Sequence, residues 1–271
     1  MRVTMLGCGA SVGVPSLSGG WGQCDPLEPR NRRRRSSILV EKDGRRVLVD
    51  ASPDLREQLL DAEVRSIDAV LFTHIHADHT HGIDDLRPLY WSTRERIPAY
   101  ADAVTYADLH ARFGYMFEAA PQSPPHHSPP LIHFPLEEGL HEIAGLSVEV
   151  FRQDHGNSGD SLGMIFDGRF AYSTDVNRMP DAQLDRLAEL RLDTWIVDCL
   201  RDEPTAAHAS FPEAMEWIAR VGPRRAYLTH MNARLDYRRT LAKCPPGVEP
   251  GYDGLVLEIP EMETAEMEVQ G

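Results

Sequence analysis

The segment Thr73-His74-Ile75-His76-Ala77-Asp78-His79 constrains this chain more than any other. It places three imidazoles and one carboxylate within six residues, directly after the apolar run Ile67–Thr73, which reads as a short strand. In extended backbone, residues two apart face the same way, so His74 and His76 can hold one cation. The turn that follows carries Asp78 and His79 toward a second, which makes two adjacent ions geometrically natural.

The rest of the chain is organised to support strand ends of this kind. Its 271 residues, 42% of them apolar, suffice for one large domain with a core, read here as spanning 1–271. Apolar or β-branched runs predict strands over Val3–Leu6, Ser37–Val40, Arg46–Val49, Leu146–Phe151, Ser161–Phe166, Arg169–Ser173, Thr194–Val197, Ala226–Thr229 and Gly254–Ile259. Asp43-Gly44 suits a hairpin turn between the second and third of these. Apolar residues at three-to-four spacing predict helices over Leu55–Leu60, Asp181–Leu190 and Phe211–Val221, the last with Pro212 at its first position. Strands and helices intermix, so the class is α/β or α+β. The run PQSPPHHSPP, from Pro121 to Pro130, predicts a surface loop, and 261–271 reads as a frayed acidic tail. Gly7, Gly9 and Gly13 do not have the G-x-G-x-x-G spacing of a dinucleotide-binding turn.

Composition excludes several functions. Cys8, Cys24, Cys199 and Cys244 form no C-x-x-C pair, so they are expected to be reduced thiols. A net charge of -14 repels polyanions, which argues against a long nucleic-acid partner. No stretch approaches the ~20 apolar residues of a membrane helix, and MRVTMLGCGAS is too short an apolar stretch for a signal peptide. The expected location is cytoplasmic.

H-x-H-x-D-H after a strand resembles the signature of the metallo-β-lactamase fold hydrolases. The resemblance implies three further ligands at strand ends, in the order His, acidic residue, His. Three places match: His155 in Gln153-Asp154-His155-Gly156, Asp175 in Ser173-Thr174-Asp175, and His230 in Leu228-Thr229-His230-Met231. By that carry-over His74, His76 and His155 hold one cation, Asp78, His79 and His230 hold a second, and Asp175 and a water bridge the two. The implied fold is a four-layer αβ/βα sandwich, two facing mixed sheets flanked by helices. Five imidazoles and two carboxylates without a thiolate suit Zn²⁺ first and Mn²⁺ second, with Fe²⁺ also compatible.

His208-Ala209-Ser210-Phe211-Pro212-Glu213-Ala214 resembles the H-x-S/T-x-x-E-A element of the phosphodiesterase branch of this fold. There the His contacts the phosphoryl group or the leaving oxygen; the plainer alternative is a helix-start residue making a local hydrogen bond. Gly7-Cys8-Gly9-Ala10-Ser11, the arginines before Ser36-Ser37, and His81-Gly82-Ile83-Asp84-Asp85-Leu86-Arg87 are similar to the PhnP-type cyclic phosphodiesterases. Members of that type often carry a cysteine-rich zinc site near the start, where this chain has only Cys24. The implied activity is hydrolysis of a small phosphodiester, cyclic or nucleotide-like, by attack of metal-bound hydroxide on phosphorus. Asp78 would orient the hydroxide and His208 would protonate the departing alkoxide. Thioester or lactone hydrolysis on the same metals and a non-catalytic metal or cofactor carrier are the alternatives. The expected partner is a small phosphorylated substrate and not a membrane, with a homodimer left open.

Other residues carry expectations of their own. His81 is read as an outer or surface residue, His126 and His127 as solvated, and His110, His133 and His141 as making ordinary hydrogen bonds. Arg32-Arg33-Arg34-Arg35 either attracts a phosphorylated ligand or is the solvated start of a strand. Asp84, Asp85 and Arg87 either line the pocket or begin a helix.

Overall fold

Alternate side chains along the expected strands are apolar on both faces, which requires sheets covered on both sides. The structure, a computed structural model, describes residues 1–119 and 128–261. Most of the proline-rich run, with His126 and His127, and the acidic tail beyond Glu261 lie outside the described residues. The first sheet takes β1 (Arg2–Gly7), β2 (Ser37–Lys42), β3 (Arg45–Val49), β4 (Ala69–Leu71), β5 (Ile97–Ala101) and β6 (Leu131–Pro135). The second takes β7 (Gly139–Ile143), β8 (Leu146–Asp154), β9 (Asp160–Phe166), β10 (Phe170–Ser173), β11 (Thr194–Asp198), β12 (Arg225–Thr229) and β13 (Val248–Pro250). The last strand, β14 (Leu255–Glu258), returns to the first sheet and pairs antiparallel with β1.

Each sheet is antiparallel at one end and parallel at the other. β3 to β6 run parallel, and so do β10 to β13, so two sets of strand C-termini open on one edge of each sheet. Ile38 and Val40 of β2 and Val47 and Val49 of β3 face the core between the sheets, together with Val148, Met164 and Phe166. Leu39 and Leu48, the intervening residues, face outward, where α1 (Leu55–Asp61) and α4 (Ala103–Phe113) cover them through Leu55, Leu59 and Leu109. α5 (Asp181–Glu189) and α6 (Phe211–Val221) pack the second sheet with Leu184, Leu187, Trp217 and Ile218. Each such side chain contributes about 1.5–3 kcal/mol on full burial. The result is the αβ/βα sandwich. α2 (Ala77–Thr80), α3 (Arg87–Thr93) and α7 (Tyr237–Leu241) are short connectors. No helix among the described residues is long and apolar enough to cross a membrane.

Two expectations need correction. Pro212 occupies the second helical position, because Ser210 is the cap and closes a capping box with Glu213. The arginine run is not a solvated strand start, because its side chains go separate ways. Arg33 is 2% exposed and donates to the carbonyls of Leu235 (2.7 Å) and Asn232 (3.2 Å). Arg34 pairs with Asp61 and Arg35 with Asp54, which leaves only Arg32 of the four exposed. Arg33 belongs to a buried hub in which Asn31 donates to Asp236 (2.7 Å) and accepts from the Tyr237 N–H (2.7 Å). That hub fastens the loop between β1 and β2, where the PhnP-type resemblance directs attention to a cysteine-rich zinc site. All four cysteines are free thiols.

Candidate metal centre

The candidate residues all stand just past strand ends. His74 follows β4, His155 follows β8, Asp175 follows β10 and His230 follows β12. α2 opens beside them with His76 as its cap, and so brings Asp78 and His79 back over the same edge. Asp175 (φ 54°) and His230 (φ 56°) adopt the left-handed conformation, as does Asp50 (φ 64°) after β3. Non-glycine residues pay about 1–3 kcal/mol for such strain, and at these three positions it aims side chains at one point.

The seven side chains converge in two groups that share Asp175. His74 Nε2 lies 2.9 Å from His76 Nδ1, and His155 Nε2 lies 3.3 Å from that same atom and 3.4 Å from Asp175 Oδ1. On the other side His79 Nε2 lies 3.3 Å from Asp78 Oδ2 and 3.0 Å from Asp175 Oδ2. His230 Nε2 lies 3.3 Å from Asp78 Oδ2 and 3.5 Å from Asp175 Oδ1. His74, His76, His155 and Asp175 offer ligand atoms within 4.8 Å of one another, and so do Asp78, His79 and His230.

The far sides of the rings test whether a cation fits. His79 Nδ1 is 2.7 Å from Asp50 Oδ2, and His155 Nδ1 is 2.6 Å from the Ala207 carbonyl. The Thr73 hydroxyl donates to Asp50 (2.9 Å), so it accepts from His74 Nδ1 (3.0 Å). Each of these partners fixes the proton on Nδ1 and leaves the Nε2 lone pair facing inward, as a metal-binding imidazole requires. His79 Nε2 is buried without a hydrogen-bond partner among the described residues, a cost that a cation would remove. The donors fit a divalent cation.

Charge follows the same design at His74, His76 and His155, and runs the other way at His79. Burial lowers the pKa of His74, His76 and His155, which favours the neutral, ligating form. Burial also opposes charge on Asp175 and Asp78, yet the surrounding histidines outweigh it and hold both carboxyls below their ordinary range. For His79 burial is outweighed in turn by Asp175, Asp78 and Asp50, and its pKa rises.

His208 lies against this cluster but apart from both groups. It is in the loop ahead of α6 and not at the helix start, with its N–H on the Thr205 hydroxyl (2.8 Å). Its ring stacks on His230 at 4.5 Å and meets His155 edge-on at 4.8 Å. Nδ1 is 3.2 Å from Asp198 Oδ2 and 3.9 Å from Asp175 Oδ1. His208 therefore also falls within ligand distance of Asp175 and His230, but its Nδ1 is committed to Asp198. Burial lowers its pKa, while Asp198, Asp175 and Asp78 together raise it further, to about 9.

Other expected residues lie away from the centre. His81 is exposed, with Nε2 3.3 Å from Arg112 Nη1. Asp84 accepts from the Tyr115 hydroxyl (2.8 Å) and pairs with Arg87, which begins α3. His133 and His141 contact backbone carbonyls, and His110 pairs with Glu118. Sequence reasoning missed two buried carboxylates behind the cluster, Asp50 and Asp198. Their signal was the one that marked Asp175, an aspartate closing an apolar strand.

Residues 45–231 match the family model of the β-lactamase superfamily domain. A solved structure described as a new diphosphatase from the PhnP family is 32% identical, with a TM-score of 0.86, and the match covers 96% of this chain and 98% of that one. Zn²⁺-bound PqqB from Methylobacterium extorquens shares the fold at 22% identity and a TM-score of 0.75, over 95% of this chain and 100% of that one. The octanoyltransferase of Porphyromonas gingivalis is 32% identical over 96% of this chain and 52% of its own length, so the chain spans about half of that relative.

Proposed function

The chain belongs to the β-lactamase superfamily and is a PhnP-like hydrolase, and from that premise we propose that it cleaves a small phosphodiester at a centre of two divalent cations. His74, His76 and His155 would hold one cation and Asp78, His79 and His230 the other, with Asp175 between them. Zinc is the proposed metal and manganese the second choice, on the strength of the imidazole and carboxylate donors. Cations bound there supply a Lewis acid that makes a water nucleophilic at neutral pH and neutralises charge on phosphoryl oxygens.

The chain's own residues do the rest. Asp78, at the mouth of α2, would orient the attacking water. His208 carries the phosphoester reading: among the described residues it is the one imidazole against the cluster that neither proposed cation uses, and Asp198 on Nδ1 leaves Nε2 as the nitrogen that can hand a proton to a departing alkoxide. The buried carboxylates behind the rings keep the ligands aligned. The near full-length similarity to a protein named as a diphosphatase supports chemistry at phosphorus.

A substrate panel tests the reading. The zinc-loaded chain should cleave bis(p-nitrophenyl) phosphate faster than p-nitrophenyl phosphate, a β-lactam or an acyl thioester, because a diester has a single negative charge and still leaves phosphoryl oxygens free. A diphosphate ester should also turn over. Thioester turnover faster than that of every phosphoester would overturn the proposal in favour of acyl chemistry.

A further inference from the structure

Asp198 is fully buried at the C-terminal end of β11, and its two oxygens have different surroundings. Oδ2 accepts three N–H groups: His208 Nδ1 (3.2 Å), the Ala209 amide (3.2 Å) and the Val176 amide (3.3 Å). Oδ1 has no hydrogen-bond partner among the described residues, and it faces His230 Nδ1 at 3.8 Å, which has none either. A buried donor and a buried acceptor thus stand opposite each other, unpaired, where such groups are almost always satisfied. His74, His79 and His155 each have their Nδ1 fastened by an acceptor.

We infer that Asp198 is a positioning residue for two imidazoles at once, holding His208 through Oδ2 and His230 through Oδ1, with the His230 contact closing when a divalent cation takes His230 Nε2. The inference rests on the reading of His230 as a cation ligand. It links the ligand shell to the proton donor through one carboxylate: filling the cation site draws Asp198 and His230 together while Asp198 keeps its hold on His208.

Asp198→Asn separates this role from a structural one. The Oδ2 position must accept three N–H groups, so the amide oxygen takes it and the NH₂ turns toward His230. The backbone contacts of Ala209 and Val176 and the hold on His208 survive. His230 must then accept on Nδ1 and carry its proton on Nε2, the tautomer that cannot bind a cation there. The variant should bind zinc 10–100-fold more weakly in competition with a chelator. In the zinc-loaded wild type, NMR should show protected ring N–H protons from both His208 and His230. Asp198→Asn should keep the His208 proton and lose that of His230. His208→Ala should lose only its own ring proton and bind zinc as the wild type does. Wild-type zinc affinity with both protons present in Asp198→Asn would overturn the inference, and the phosphodiesterase reading would stand. The expected pattern in a chain that cleaves no phosphoester would leave the inference standing and remove that reading.

Discussion

At the residue scale the functional argument turns on His208, which touches the cluster without belonging to either proposed cation group. As a proton donor its worth depends on the leaving group. His208→Ala should keep its bound metal, yet slow release of a poor leaving group such as a ribose alkoxide by about 10²- to 10⁴-fold, the range of general acid catalysis. Release of p-nitrophenolate, which needs no proton, should slow far less. Equal losses on both substrates at unchanged metal content would show that the ring stabilises phosphoryl charge instead. The seven converging side chains were legible in the sequence because dense histidines and ordered strand-end residues are rare together. Asp50 and Asp198 were not: a lone aspartate after an apolar run is what many strand ends carry, and only the fold shows which rings stand beside it. The arginine run misled for a related reason, since burial of Arg33 depends on carbonyls about two hundred residues away in sequence.

At the element scale the site depends on how closely its loops pack. Gly82 follows α2, donates its N–H to the Ala51 carbonyl (2.8 Å), and has no room for a side chain: a Cβ there would lie 1.8 Å from the Ser52 carbonyl oxygen. In the same loop the Ala51 N–H donates to the carbonyl of His79 (2.8 Å), so displacing that loop moves a proposed ligand. Gly82→Ala should cost about 1–3 kcal/mol of stability, the usual range for overpacking, and should weaken cation binding in the same protein, measured by denaturant unfolding and chelator competition. Wild-type stability would show that the loop yields without cost. The elements themselves were readable where apolar residues alternate or recur at helical spacing. β5 escaped notice because Pro98 interrupts its pattern, β6 and β13 because they are short and end on Pro135 and Pro250, and β7 because Gly139, His141 and Glu142 leave too few apolar positions. α4 was hidden because only Thr105 and Leu109 of its eleven residues are buried.

At the scale of the whole molecule, two seven-stranded sheets bring the C-terminal ends of β4, β8, β10 and β12 to one edge. Residues 74 to 230 in sequence thereby meet within a few ångströms. The net charge of -14 over the whole chain suits cations and disfavours long polyanions, in keeping with a small substrate. The two proposed cation groups make a quantitative demand, because neither group alone uses all seven side chains. The direct measurement is a zinc titration of the chelator-stripped chain at concentrations well above the dissociation constant, following cleavage of bis(p-nitrophenyl) phosphate. The rate should rise to a plateau at two equivalents of zinc per chain; a plateau at one equivalent, or no cleavage at any zinc level, would contradict the dinuclear phosphodiesterase account.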